Sequence, residues 1–394
     1  MKNCESMVYL NNAATSWPKP ECVAEAMAEA VRGLPGSGGR GGIEDFDVFQ
    51  AVREELAALM EISRPEQIAL GNNSTWGMNQ GIFGFPLEKG DTVLTTRAEH
   101  NAALRPLWRL EQEGIRVIYL DVDETGRIRP EAWEKALNTY RPRLCVLVHA
   151  SNVTGAVNDG EKLTGLAHEY KSALLLDVSQ SLGWLPVLPE KWGVDLAAFT
   201  GHKYLLGPQG TGGLYVRPGL SLKPYVLGGT GVRSDRREMP EEMPLHLEAG
   251  TGNEPSYHGL LAALTWSRRH PADRRQTEKL LEYLREGLKK LGCRVICPKP
   301  PVTPVLSFLI PGISPQDAGE ILTGSYDILC RTGLHCAPAI MKNLGAPEGT
   351  LRLSLSRFTI REELDRVLEA VEAILESVKE QKDEISVQKG GKLF

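Results

Sequence analysis

The 394-residue chain contains no run approaching the roughly 20 apolar residues of a membrane-spanning helix, so no membrane span is expected. Its opening residues, Met1-Lys2-Asn3-Cys4-Glu5, hold no apolar signal region. A basic excess is also missing: 45 Lys and Arg stand against 50 Asp and Glu, for a net charge of −5. That balance leaves no electrostatic footprint for a nucleic acid. These absences make a cytoplasmic protein, with neither nucleic acid nor membrane as partner, the expectation.

Cysteine is sparse, and its count of seven is odd. Scattered through a chain of this length, the cysteines argue against a disulfide framework and for free thiols in a reducing compartment. Cys293 and Cys297 lie four apart, but no second Cys or His pair follows at zinc-finger spacing, so no metal is expected. Cys145, inside the apolar run Leu144 to Val148, reads as a core thiol. Gly228-Gly229-Thr230-Gly231 lacks the Gly-Lys-Ser/Thr ending of a phosphate-binding P-loop, and the charged, proline-containing stretch from there to Pro244 reads as a mobile loop. No internal repeat is present.

What is there is ordinary for a globular protein, 42% hydrophobic and 24% charged. The length suits one large α/β domain and a smaller one. Short apolar runs at Thr92 to Thr96, Ile115 to Leu120, Leu144 to Val148, Ala173 to Leu176 and Leu196 to Phe199 alternate with helical segments such as Glu161 to Lys171. Strands interleaved with helices imply a mostly parallel sheet covered on both faces, with ligands bound beyond the strands' carboxyl ends. From about residue 257 the pattern changes to a long helical run through Leu280 and Leu291, then a strand near Val305 to Ile310. A final amphipathic helix is expected from Ile360 to Val378, with Thr359 and Glu362 as a capping box. Residues 379–394 read as a frayed polar tail.

Two of the strand ends carry chemistry. Leu174-Leu175-Leu176 delivers Asp177 to the sheet edge, and Leu196 to Phe199 delivers Thr200-Gly201-His202-Lys203. A lysine there can form a Schiff base, and an aspartate can hold a proton on a pyridine nitrogen. Those are the two protein groups that pyridoxal 5'-phosphate (PLP) requires. Ser74-Thr75 opens an expected helix through Met78, and a helix N-terminus favours an anion, although Ser74 or Thr75 could serve simply as its N-cap.

Tyr9-Leu10-Asn11-Asn12-Ala13-Ala14-Thr15, Ser151-Asn152-Val153-Thr154-Gly155, Thr200-Gly201-His202-Lys203 and Arg331-Thr332-Gly333-Leu334-His335-Cys336 together resemble the class V aminotransferase superfamily. Within it they are similar to the cysteine desulfurases and selenocysteine lyases, in the branch with a compact Cys loop. The resemblance spans the chain from Tyr9 to the final helix. It implies a fold-type I PLP-dependent transferase of α/β class: a large domain, 15–256, with a mostly parallel seven-stranded sheet, and a smaller α+β domain, 257–394 with 1–14, carrying the Cys loop.

The resemblance also implies roles. Lys203 binds the cofactor's aldehyde, and Asp177 pairs with the pyridine nitrogen. Gln180 and Asn152 bind the phenolic oxygen, and His100 stacks on the ring and moves protons. Ser74, Thr75, Thr200 and His202 hold the phosphate, and Thr251, in Ala249-Gly250-Thr251-Gly252, reaches the phosphate of a second subunit in a homodimer. Arg352 grips the substrate α-carboxylate, with Arg331, Asn12 and Ala13 also at the substrate. Cys336, on a Gly-containing loop beside His335 and near Arg331, is the nucleophile. It takes sulfur from L-cysteine as a persulfide, leaves alanine, and passes the sulfur to an acceptor, a protein that comes to it being the candidate. L-selenocysteine lyase or a β-eliminating C–S lyase on the same scaffold are the alternatives, and a non-catalytic scaffold is a third. An aminotransferase would have no role for Cys336. Two departures stand out: Asn11 replaces the usual Asp, and Gly38-Gly39-Arg40-Gly41-Gly42-Ile43 keeps the arginine without the histidines common around it.

Overall fold

The five-residue run Leu144-Cys145-Val146-Leu147-Val148 is apolar on both faces, and it becomes a strand whose residues are all buried. The computed structural model describes residues 7–34 and 46–390, with side chains through 381. Cys4 and the loop with Arg40 and Ile43 lie outside the described residues. Thirteen strands occur in chain order: β1 Val8–Tyr9, β2 Ile68–Gly71, β3 Thr92–Thr96, β4 Arg116–Leu120, β5 Leu144–Val148, β6 Ala173–Asp177, β7 Leu196–Thr200 and β8 Gly212–Val216, then β9 Arg294–Ile296, β10 Val305–Leu309, β11 Ile328–Leu329, β12 Arg331–Gly333 and β13 Thr350–Ser354.

Seven of them form one sheet in the order β2-β8-β7-β6-β5-β3-β4. β8 is antiparallel to both neighbours, and the remaining pairings are parallel. This is the mostly parallel seven-stranded α/β sheet expected. β2 and β8 were not among the runs legible in the sequence; β8 is Gly-Gly-Leu-Tyr-Val and β2 only four residues long. The helix Ser74–Gly84 lies so close to the sheet that a Cβ on Gly77 would stand 2.6 Å from the carbonyl oxygen of Gly213. Glycine at 77 is therefore what lets this helix point its N-terminus at the ends of β6 and β7.

A second sheet, β12-β13-β10-β9, is antiparallel throughout. The N-terminal strand β1 pairs with β11, and Val8 and Leu10 pack into the same core as Leu306, Phe308, Leu351 and Leu353. Tyr257, Leu260 and Leu264, on the helix Glu254–Arg269, instead join the core beneath the large sheet.

The end of the chain differs from expectation. The last helix runs Arg361–Gly390, so most of the tail expected to fray is helical. Its first turn is capped by Glu363, whose carboxylate accepts from the backbone N–H of Ile360 at 2.9 Å. Thr359 accepts from Ser356 N at 3.0 Å, closing the preceding turn. The cap thus uses a carboxylate one residue beyond Glu362. Residues 228–244 form only turns and bends. Cys145 is fully buried, and burial pushes its thiol up. Among the described residues no helix is long and apolar enough to cross a membrane.

Candidate active site

The carboxyl ends of β5, β6 and β7 open onto a cavity of about 220 Å³. Its lining includes Ala13, Ser74, Thr75, His100, Asn152, Asp177, Gln180, Thr200, His202, Lys203 and Arg331, brought together from seven separate stretches of the chain. Ala14, Asn73 and Ser179 join them; none of the three was singled out in the sequence.

Asp177 ends β6 and is 4% exposed. Its Oδ1 accepts from Ser179 N at 3.0 Å, Ser179 Oγ at 2.5 Å and Ser74 Oγ at 3.4 Å. With Oδ1 so engaged, Oδ2 is the oxygen available to a donor standing in the cavity. A serine two residues beyond a strand-terminal aspartate is the local signal that could have revealed Ser179.

Lys203 follows β7. The carbonyl of His202, one residue earlier, accepts from Ser16 N at 2.9 Å, Thr15 Oγ1 at 3.1 Å and Ser16 Oγ at 3.2 Å. The N-terminal loop thus clamps the peptide that presents the lysine. Burial lowers the Lys203 ammonium to about 8; Asp177 opposes that shift, and Arg352 and Arg331 add to it. A neutral, nucleophilic amine is then accessible near neutral pH.

His100 is the N-cap of the helix Asn101–Gln112. Its Nδ1 accepts from Ala102 N at 3.0 Å, which leaves the ring proton on Nε2. Burial, with Lys203 close by, lowers this imidazole to about 4, so the ring in the cavity is neutral. His202 is likewise lowered to about 4 by burial, and its Nδ1 is buried without a partner.

Ser74 and Thr75 lie in the first turn of the helix Ser74–Gly84. The N-cap is Asn73, whose Oδ1 accepts from Trp76 N at 3.0 Å. Both hydroxyl residues are consequently not needed as caps, and the first-turn N–H groups face the cavity end of the helix.

Asn152 and Gln180 also reach the cavity. Asn152 Nδ2 donates to the carbonyl of His335 at 2.7 Å, and Gln180 Nε2 to the carbonyl of Ala13 at 2.9 Å. The two amide oxygens are buried and unpartnered.

The two arginines stand directly opposite each other, because β12 and β13 pair Arg331 with Arg352. Like charges across a strand pair repel, and among the described residues neither forms an ion pair with a carboxylate. Arg352 is completely buried. Its Nη1 donates to Asn152 O at 2.9 Å and its Nη2 to Asn11 Oδ1 at 3.1 Å, while Nε has no partner. Burial and the neighbouring Arg331 lower Arg352 to about 9. Asn11, in place of Asp, supplies an acceptor but no compensating charge. Two cationic side chains thus face one another with only neutral acceptors around Arg352.

Asn12 is placed differently from what the resemblance implied. It spends both polar atoms on the backbone: Nδ2 donates to Ser354 O at the end of β13 at 3.0 Å, and Oδ1 accepts from Trp17 N at 3.0 Å. It does not line the cavity, whereas Ala13 does. Thr251 is exposed and lies away from the cavity of its own chain. Cys336 lies outside the ring-sized cavity, on an adjoining groove of about 440 Å³ that shares Thr75, His100 and Ala102 with it. Its sulfur accepts from Arg331 Nη2 at 3.0 Å. The imidazole of His335 points elsewhere, its Nε2 at 2.8 Å from Thr350 Oγ1.

A half-buried lysine and a strand-terminal carboxylate line one cavity beside a helix N-terminus at the edge of a mostly parallel sheet, the place where α/β enzymes bind their ligands. The chain belongs to the class V aminotransferase family, whose model matches residues 8–367. It is 33% identical over 380 residues to a probable cysteine desulfurase of Methanothermobacter thermautotrophicus, covering 93% of this chain and 94% of that one. It is 29% identical over 387 residues to a cysteine desulfurase of Synechococcus elongatus, covering 94% of this chain but only 61% of that longer protein. Its fold matches the apo structure of a cysteine desulfurase from Thermococcus onnurineus with a TM-score of 0.84 and 28% identity, covering 95% and 96% of the two chains. A cysteine desulfurase from Escherichia coli in its S-sulfonic acid form matches with a TM-score of 0.82 and 28% identity, covering 94% and 95%. The family is one of PLP enzymes.

Proposed function

We propose that the protein is a PLP-dependent cysteine desulfurase that converts L-cysteine to L-alanine and leaves the sulfur as a persulfide on Cys336. The observation that carries this reading is the Cys336 thiol, 3.0 Å from Arg331 Nη2, where the groove meets the cavity of Lys203 and Asp177.

The cavity residues fit pyridoxal phosphate. Asp177 offers an oxygen to a pyridinium N–H, and Lys203 an amine to an aldehyde. The buried orphan atoms of Asn152, Gln180 and His202 await polar partners. The first turn at Ser74 and Thr75, with Thr200 and His202, would hold the phosphate, and the neutral His100 would cover the ring. Thr251, exposed in its own chain, would serve the phosphate site of a second copy, which makes a homodimer part of the reading. Bound there, the pyridine ring supplies an electron sink for the pair left at the α-carbon when its proton departs.

The substrate carboxylate binds between the opposed Arg331 and Arg352, relieving their repulsion through charge-assisted hydrogen bonds. With the substrate's own amine held at the cofactor, the Lys203 amine would take the α-proton and return a proton to the α-carbon once the sulfur has gone, while the proton given up by the Cys336 thiol would go to the β-carbon. The Cys336 thiolate attacks the substrate sulfur. An S–S bond forms as the C–S bond breaks, and the carbon keeps the departing pair and gains a proton. Cysteine plus thiol thus becomes alanine plus persulfide with every atom accounted for. The persulfide sits on the groove side, where an acceptor's thiol can take it. The reading includes a cytoplasmic setting and two structural units, 15–256 and 257–394 with 1–14; the packing of Tyr257, Leu260 and Leu264 against the large-sheet core supports carrying the larger unit on through the helix Glu254–Arg269.

Product analysis tests the reading. Enzyme loaded with PLP and supplied with L-cysteine and a reductant yields alanine and sulfide in equal amounts; pyruvate and ammonia in place of alanine would replace the reading by a β-eliminating lyase. Asp177→Ala retains some cofactor but loses at least ~10²-fold in turnover, because an unpaired ring nitrogen loses its proton and the sink weakens. Near-normal kinetics in that variant would reduce Asp177 to a structural cap.

A further inference from the structure

The loop that carries Cys336 is bent unusually sharply. Gly333, His335 and Cys336 have φ values of +88°, +51° and +58°, so three of four successive residues occupy the left-handed region. Two consecutive side-chain-bearing residues there persist only where the surroundings over-determine them. The surroundings do so at several points. The carbonyl of His335 accepts from Asn152 Nδ2 at 2.7 Å, and that of Cys336 accepts from Asn101 N at 2.7 Å. At the base of the loop Gly333 and Gly349 touch so closely that a Cβ on Gly349 would stand 2.3 Å from the backbone of Gly333. Next to Gly349, the Thr350 hydroxyl meets His335 Nε2 at 2.8 Å, with both residues buried.

The His335 ring touches neither the thiol nor the cavity lining. Burial, with Arg352 and Arg331 near, lowers it to about 2, so it carries no charge to lend to a thiolate. Its other nitrogen, Nδ1, is buried and unpartnered, and the Thr350 contact is what fixes the ring.

We propose that Thr350 and His335 are a positioning pair: the hydroxyl holds the imidazole, the imidazole holds the elbow, and the elbow sets the Cys336 sulfur against Arg331. The inference rests on the desulfurase reading for its consequence in turnover, but the placement of the thiol can be tested without it. Removing the hydroxyl would leave the imidazole with neither nitrogen satisfied in the interior, which favours rearrangement of the ring and relaxation of the elbow.

The test compares PLP-loaded wild type with Thr350→Val, which keeps the side-chain shape, and Thr350→Ser, which keeps the hydroxyl. In Thr350→Val, kcat for L-cysteine falls by about tenfold or more while KM changes less than threefold, the size expected when a buried polar group loses its partner. Alkylation of Cys336 by iodoacetamide, followed on its own peptide by mass spectrometry, slows at least ~3-fold as the sulfur leaves its guanidinium partner. The visible absorbance of the cofactor does not change, and Thr350→Ser restores both rates. Unchanged Cys336 alkylation in Thr350→Val overturns the proposal, as does a Ser variant as impaired as Val. Loss of cofactor absorbance and melting temperature in step with activity also overturns it, because that marks a general structural role. If wild type makes no alanine the desulfurase reading fails, and the alkylation comparison still decides the positioning role.

Discussion

Cys336→Ala abolishes alanine formation from L-cysteine, by at least ~10³-fold, while leaving the cofactor's visible absorbance and substrate binding intact. The size follows from removing the one group that accepts the sulfur, since loss of a nucleophile removes the step it performs. The cavity groups are retained in this variant, because Cys336 lies on the neighbouring groove and contributes nothing to the lining around Lys203 and Asp177. Substrate therefore binds and loses its α-proton, and the C–S bond has no thiolate to receive its sulfur. L-selenocysteine retains turnover, because selenium leaves more readily and need not be captured by a thiol. Wild type treated with L-cysteine and no reductant gains one sulfur, about 32 mass units, on the Cys336 peptide, as expected for a persulfide at a nucleophilic thiol. Full alanine production by the variant, or a persulfide mapped to another cysteine, refutes the role.

Lys203→Ala yields a colourless protein after desalting and loses at least ~10³-fold in alanine formation, the scale of removing a covalent and proton-transferring group together. Among the described residues lining the cavity Lys203 is the one lysine, so no second amine can replace it. Its ammonium is lowered to about 8 chiefly by burial, with Asp177 holding it up, and that balance is what poises it between nucleophile and base. Wild type absorbs in the visible range once loaded with PLP. A wild-type protein that cannot be reconstituted to a yellow form would sink the cofactor assignment altogether. A Lys203→Ala protein with normal turnover would remove the lysine from the mechanism while leaving the cofactor in place.

Much of the site was readable along the chain because its parts are local. An apolar run long enough to cross a sheet once, and no longer, fixes the strand and places its last residue at the edge; this is why Asp177 and the Thr200–Lys203 segment could be located together. Ser74 and Thr75 sit at a helix start for equally local reasons, although the capping residue proved to be Asn73. The last helix was recognisable from its apolar stripe, but its C-terminal extent was not, since polar residues carry no stripe. β2 and β8 escaped detection because one is four residues long and the other opens with two glycines, so neither presents a distinctive period.

What the amino-acid order determined by itself was therefore five of the seven strands of the large sheet, the chemical groups at the ends of two of them and the order of the motifs. Only the tertiary structure decided which groups meet. Asn152 reaches the His335 carbonyl across 183 residues, and Arg352 reaches Asn11 across 341. The pairing register of β12 and β13 sets Arg331 against Arg352 and so creates a cationic pair that neither residue announces alone. The same packing turned Asn12 away from the cavity and gave the Cys336 thiol to Arg331 instead of its sequence neighbour His335. The reason is physical: propensity and periodicity act over a few residues, whereas contacts between distant segments depend on sheet register and on the closing of the second sheet against the first. No short stretch of sequence carries that information.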